Sequence, residues 1–145
     1  MSHPLATYED VNLILRLYEM RREETMRAAR KWFSDSFKPK TAAEFNQLCP
    51  KGSGMNAFAR QVITYWDMVA SFVSAGVLNQ ELFFESGREL LFVWTRVEPL
   101  VAEWRALYQD PNYLENLERV GSAFADHIKK LSPEGYDNFV KRVRG

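Results

Sequence analysis

The chain has 145 residues, 46% of them hydrophobic, 14% aromatic and 26% charged, the proportions of one globular domain with a single core and not those of a disordered chain. Its 19 lysines and arginines balance 19 aspartates and glutamates, so no overall field draws in a polyanion, which argues against a dedicated nucleic-acid binder. The lone Cys49 excludes an intrachain disulfide and a multi-cysteine metal site. No stretch reaches the ~18 uninterrupted apolar residues of a membrane span and residues 1–7 carry no signal-peptide pattern, so a cytoplasmic location is expected.

In chain order, Thr7 followed three positions later by Asp10 is a helix-start pattern, and apolar periodicity predicts a first helix over residues 8–34. Its core face reads Tyr8, Val11, Ile14, Leu15, Tyr18, Met26, Ala29, Trp32 and Phe33. Leu13, Leu17 and Met20 project from the far side, where they would meet another helix of the same fold or form a homodimer seam. Arg16, Arg21, Arg22, Arg27, Arg30 and Lys31 enrich the same region in positive charge, but Glu19, Glu23 and Glu24 are interleaved at spacings that suit intrahelical pairs. Pro39 ends the helix.

Thr41 with Glu44 repeats the cap spacing ahead of a short second helix over 42–48, stopped by Pro50. After the Gly-containing joint at 51–54, a third helix over 55–75 carries Phe58, Val62, Tyr65, Trp66, Val69, Phe72 and Val73 on its apolar side. Arg60, Thr64, Asp67, Ser71 and Ser74 form an opposite polar stripe, expected to face water or a partner. Gly76 suits a left-handed helix closure, with Val77 as its apolar contact.

Asn79 caps a fourth, short helix over 80–85, and Ser86 and Gly87 lead into a fifth over 88–108. There Pro99 lacks the amide for a bond one turn back, which predicts a kink. Asp110 and Pro111 read as the start of a sixth helix with an apolar seam at Leu114, Leu117, Gly121, Phe124, Ile128 and Leu131. Ser132 and Pro133 start a seventh over 133–143. The expected architecture is an all-α, single-domain helical bundle of five main helices plus two short ones, kinked at Pro99.

Chemistry-bearing clusters are sparse. His127 and His3 are the only histidines, so a metal site would need carboxylates for nearly all its ligands, and the Glu-x-x-His spacing of di-iron bundles is absent. Cys49 has no histidine near it in sequence to generate a thiolate. The 52–54 loop lacks the Lys-Ser/Thr that follows in phosphate-binding loops. Tyr65, Trp66 and Asp67 invite an aromatic cage, yet consecutive helical residues point apart, which favours core packing. Arg22 stands out, because it falls in the apolar sector of the first helix between Tyr18 and Met26. It is expected either to pair internally with Glu98, at the edge of the fifth helix's apolar face, or to hold an anionic ligand between helices near Pro99. No cofactor and no enzymatic activity are expected; a self-associating interaction module leads, with a small-molecule binder as the alternative.

The run Tyr65-Trp66-Asp67, then Val73, Gly76, Val77, Leu78, Glu81, Leu82 and Phe83, followed by Trp94, Glu98, Pro99, Arg105, Pro111, Tyr113 and Leu117, resembles a bacterial family of small helical domains of unknown function. The likeness covers about residues 58–120. It implies a helical fold and supplies no catalytic residues. Similar proteins often begin with a membrane-spanning helix, and no such run lies within these 145 residues.

Overall fold

The computed structural model describes residues 5–145, and among these it contains eight α-helices and no strand. They are α1 (Tyr8–Arg21), α2 (Glu24–Ser36), α3 (Ala42–Leu48), α4 (Gly54–Ser74), α5 (Gln80–Ser86), α6 (Arg88–Tyr108), α7 (Glu115–Leu131) and α8 (Pro133–Arg144). The local start signals hold: Thr7 and Asp10 form a reciprocal capping box, and Thr41, Asn79 and Ser132 each accept a backbone N–H of the first turn, while Ser53, in the stretch expected to be a joint, caps α4 in the same way. Gly76, at φ +78°, closes α4, with Gly76 N–H on Val73 O and Val77 N–H on Phe72 O. Val77 itself is exposed, and Leu78 is the residue that packs inward.

Helix α4 lies against α2, α6 and α7; α6 also meets α3, α7 and α8, and α1 touches mainly α2. The buried side chains of α2 to α7, with Leu17 of α1, gather into one contiguous apolar cluster. At the α6–α7 crossing Gly121 is required by packing: a Cβ there would lie 2.4 Å from Trp94 Cγ. Phe33, Phe37, Phe45 and Trp104 run through the core as a chain of ring contacts, stacked at Phe33–Phe37 and edge-on at the others.

Four expectations are corrected. The first helix is two helices, because the Glu23 carboxylate turns back to accept Thr25 N–H (3.0 Å) and Met26 N–H (2.9 Å), starting α2 afresh while Arg22 caps α1. The buried face of α1 is rotated from the expected one: Ile14 is half-buried as expected, but Asp10 and Leu17 are buried and Leu13 half-buried, whereas Tyr8, Val11, Leu15 and Tyr18 are exposed. Helix α7 begins at Glu115 rather than near Pro111, since Asp110 instead accepts Asn112 N–H in a turn and Leu114 adopts a left-handed φ of 60°. Asp67 points at α7 rather than at water, as described below.

Helix α6 runs through Pro99 without interruption. Proline leaves the Thr95 carbonyl without its usual donor, and Arg144 Nε at the end of α8 donates to it at 3.1 Å. The same guanidinium reaches Glu98 Oε1 at 2.6 Å.

Candidate functional site

Three consecutive residues of α4 engage three different partners. Tyr65 donates its hydroxyl to Leu17 O of α1 at 2.6 Å, Trp66 donates Nε1–H to Glu89 Oε2 of α6 at 3.1 Å, and Asp67 accepts Leu117 N–H of α7 at 3.0 Å. Their roughly 100° angular steps aim them at separate neighbours. Tyr65 and Trp66 are buried, and desolvation pushes the Tyr65 phenol up to about 12. Asp67 supplies from outside the side-chain cap that Leu114 cannot give α7. Burial raises its pKa, and the Leu117 amide partly offsets that. The motif is therefore a helix junction, not a cage for a cation.

Beside this junction lies a pocket of about 320 Å³ between α2, α4, α6 and α8. Phe33, Val62, Phe92, Val93 and Phe139 make its walls apolar, and Arg30, Ser34, Arg88 and Glu89 are its polar members. Arg30 and Glu89 form a bidentate pair, Nε to Oε2 at 2.8 Å and Nη2 to Oε1 at 2.7 Å, and the pair holds Arg30 in its charged form. Arg30 Nη1 also donates to Arg21 O at 3.3 Å, so one guanidinium joins the end of α1 to the start of α6. With Trp66 also donating to it, Glu89 is fully engaged.

Behind the Phe33 and Phe92 walls sits Arg96, buried and, among the described residues, without a carboxylate partner within ion-pair distance. Its Nη1 donates to Phe33 O and Ser34 O, both at 2.7 Å, its Nε to Val143 O at 2.9 Å, and its guanidinium carbon lies 4.4 Å from the Phe92 ring centre. It thus satisfies carbonyls at the C-terminal ends of two helices, α2 and α8. Desolvation lowers its pKa, against the pull of Asp35.

The outward side of α1 is the other notable surface. Tyr8, Val11, Leu15 and Tyr18 follow at spacings of three, four and three, with exposures of 78, 40, 54 and 49%. A row of that kind matches the seam by which two helices pack. Arg22 continues it one turn on, its guanidinium 5.8 Å from the Tyr18 ring.

The two residues expected to share a site do not meet. Arg22 does lie in an apolar sector, but that sector faces outward, and Arg22 is exposed at the break between α1 and α2. Glu98 pairs with Arg144 instead, and neither Arg22 nor Glu98 lines the pocket. Of the expected self-association set, Leu17 is buried and Leu13 packs on the core, leaving Met20 exposed. The basic residues of this region are dispersed: Arg21 lies 5.2 Å from the Tyr18 and Trp66 rings, Arg30 binds Glu89, and Lys31 pairs with Asp35.

Arg30, Arg88, Glu89 and Arg96 were not singled out as a group from sequence. The available signal was position: Arg30 lies between Ala29 and Phe33 in the core sector of α2, and Arg96 lies between Val93 and Leu100 on α6. Cys49 is buried, and desolvation raises its thiol pKa to about 11. His127 is exposed at the rim of a broad groove between α5 and α7, its ring 5.4 Å from Phe84. Among the described residues no three His, Cys, Asp or Glu side chains gather as metal ligands. His3 lies outside the described residues.

An all-α bundle joined by a Tyr-Trp-Asp helix junction defines a small helical domain. The family model for a domain of unknown function, DUF4760, matches residues 6–123, and the chain belongs to that family. The match begins just ahead of α1 and runs through most of α7, wider at the N-terminal side than the 58–120 resemblance, and stops short of α8. Comparison with curated proteins and with solved structures finds no match. No helix among the described residues is long and apolar enough to cross a membrane.

Proposed function

We propose that this domain is a non-enzymatic interaction module of the cytoplasm that self-associates through the outward face of α1. The observation that carries the reading is the exposed row Tyr8, Val11, Leu15 and Tyr18 on a helix that touches its own fold mainly through α2. Each such side chain gains on the order of 1.5–3 kcal/mol when fully buried, part of which association costs consume. In an antiparallel pair every contact occurs twice.

An antiparallel second copy aligns the two helix dipoles favourably, and the exposed charges along α1 and just beyond it, Glu9, Arg16, Glu19, Arg22, Glu23 and Glu24, are of mixed sign, so no like-charged stripe opposes the contact. Of the perturbed ionisable groups, Asp10, Asp67 and Tyr65 are committed to backbone hydrogen bonds, Arg30 to Glu89 and Arg96 to helix-end carbonyls, and the Cys49 thiol is held protonated. That pattern serves architecture rather than proton transfer.

Size-exclusion chromatography with light scattering tests the reading. The expected result is a dimer at high micromolar concentration that Leu15→Lys converts to monomer. A monomer at every concentration would remove the self-association claim.

A further inference from the structure

We propose that the pocket between α2, α4, α6 and α8 is a binding site for a small amphipathic carboxylate, with the apolar tail among Phe33, Phe92 and Phe139 and the head group on Arg88. No residue lining it belongs to α1, so the inference is independent of the self-association reading.

The volume, about 320 Å³, falls at the lower end of small-molecule sites. Its walls are mostly apolar, so the ligand needs an apolar body. The polar lining decides the sign of the head group. Two guanidiniums stand against one carboxylate, and that carboxylate, Glu89, already accepts from both Arg30 and Trp66. Arg88 lines the pocket, is exposed, and has no hydrogen-bond or ion-pair partner among the described residues.

Two further features favour an anion. Helix α6 begins at Arg88 without a side-chain cap, which leaves the positive end of its dipole at the pocket. Arg96, a buried cation with no carboxylate in ion-pair distance among the described residues, lies behind the Phe33 and Phe92 walls. The opposing charge is Asp35, which is tied to Lys31. A cationic amphiphile would meet this array unfavourably. A polyphosphate would find only one free guanidinium and an apolar wall. A carboxylate with a short hydrocarbon tail satisfies both parts.

Isothermal titration of the full chain with sodium decanoate, kept below its micelle concentration, tests this, with sodium acetate and decyltrimethylammonium bromide as controls. Expected is saturable one-to-one binding of decanoate, little of acetate, and much weaker binding of the cation. Arg88→Ala, at an exposed position, should weaken decanoate about tenfold, the loss of one charge-assisted contact, and Arg88→Lys should restore part of it. Ser34→Trp, which fills the mouth from an exposed position, should abolish binding while circular dichroism stays helical. Absence of saturable decanoate binding, equal binding of the cationic amphiphile, or an affinity unchanged by Arg88→Ala would each overturn the proposal.

Discussion

Helix α4 spends three consecutive side chains on three neighbouring elements, whereas α1 presents four large apolar side chains in a row to the outside. Both helices carry periodic apolar residues. The difference lies in α1 having two such stripes, one through Leu13, Ile14 and Leu17 and one through Tyr8, Val11, Leu15 and Tyr18. The outward stripe is the larger, so apolar area alone would bury it. Polar anchors choose otherwise: Asp10 Oδ1 accepts Asn79 N–H at 2.9 Å, and the Leu17 carbonyl accepts the Tyr65 hydroxyl. Two directed bonds fix the rotation of the helix, and the larger apolar face is left for another occupant.

Trp66→Ala should cost about 3–5 kcal/mol by chemical denaturation, combining the loss of a large buried ring with the freeing of Glu89; a cost under about 1 kcal/mol would mean α4 is not the junction described. Arg96→Ala, which strands carbonyls at the ends of α2 and α8, should cost about 2–3 kcal/mol. Asp67→Ala should cost about 1 kcal/mol through loss of the α7 cap, with Asp67→Asn costing less because its amide oxygen can still accept Leu117 N–H. Leu15→Lys should change monomer stability by no more than about 0.5 kcal/mol, since Leu15 is exposed.

Acid separates the two regions by sign. Hydrogen bonds from the Thr7 and Asn79 amides hold Asp10 below the ordinary aspartate range, so its contribution is present at neutral pH and is lost as pH falls through its folded pKa. Burial holds Asp67 above that range, so its ionisation opposes folding at neutral pH and the penalty disappears on acidification. Amide exchange followed from neutral pH toward pH ~2, below the ordinary aspartate range, should show α1 loosening at its Asp10 end while the start of α7 keeps its protection; loss of both together would contradict the assignment.

Much of the architecture was legible because its causes are local. Thr7, Thr41, Asn79 and Ser132 mark helix starts by capping residues three positions away, and Gly76 marks a helix end by its own backbone freedom. The break at Arg22–Glu23 was missed because Glu23 also fits an intrahelical pair, and only its backbone turn makes it a cap. The face of α1 was missed because its deciding bonds come from Tyr65 and Asn79, 48 and 69 residues away. The pocket shared that fate: Arg30 and Glu89 are 59 residues apart in sequence, and nothing near either one announces the pairing. The Pro99 site was half legible, since proline foretold a released carbonyl but not that Arg144 would fill it.

Cysteine cross-linking at position 15 reads the contact between two α1 faces itself, because Cys49 is buried and leaves the introduced thiol as the accessible one. Under mild oxidation Leu15→Cys should give a disulfide-linked dimer in high yield, while Leu107→Cys, on an exposed apolar residue of α6 away from that row, should not. Equal cross-linking at both positions, or none at position 15 in concentrated protein, would show that the outward face of α1 is not where two copies meet.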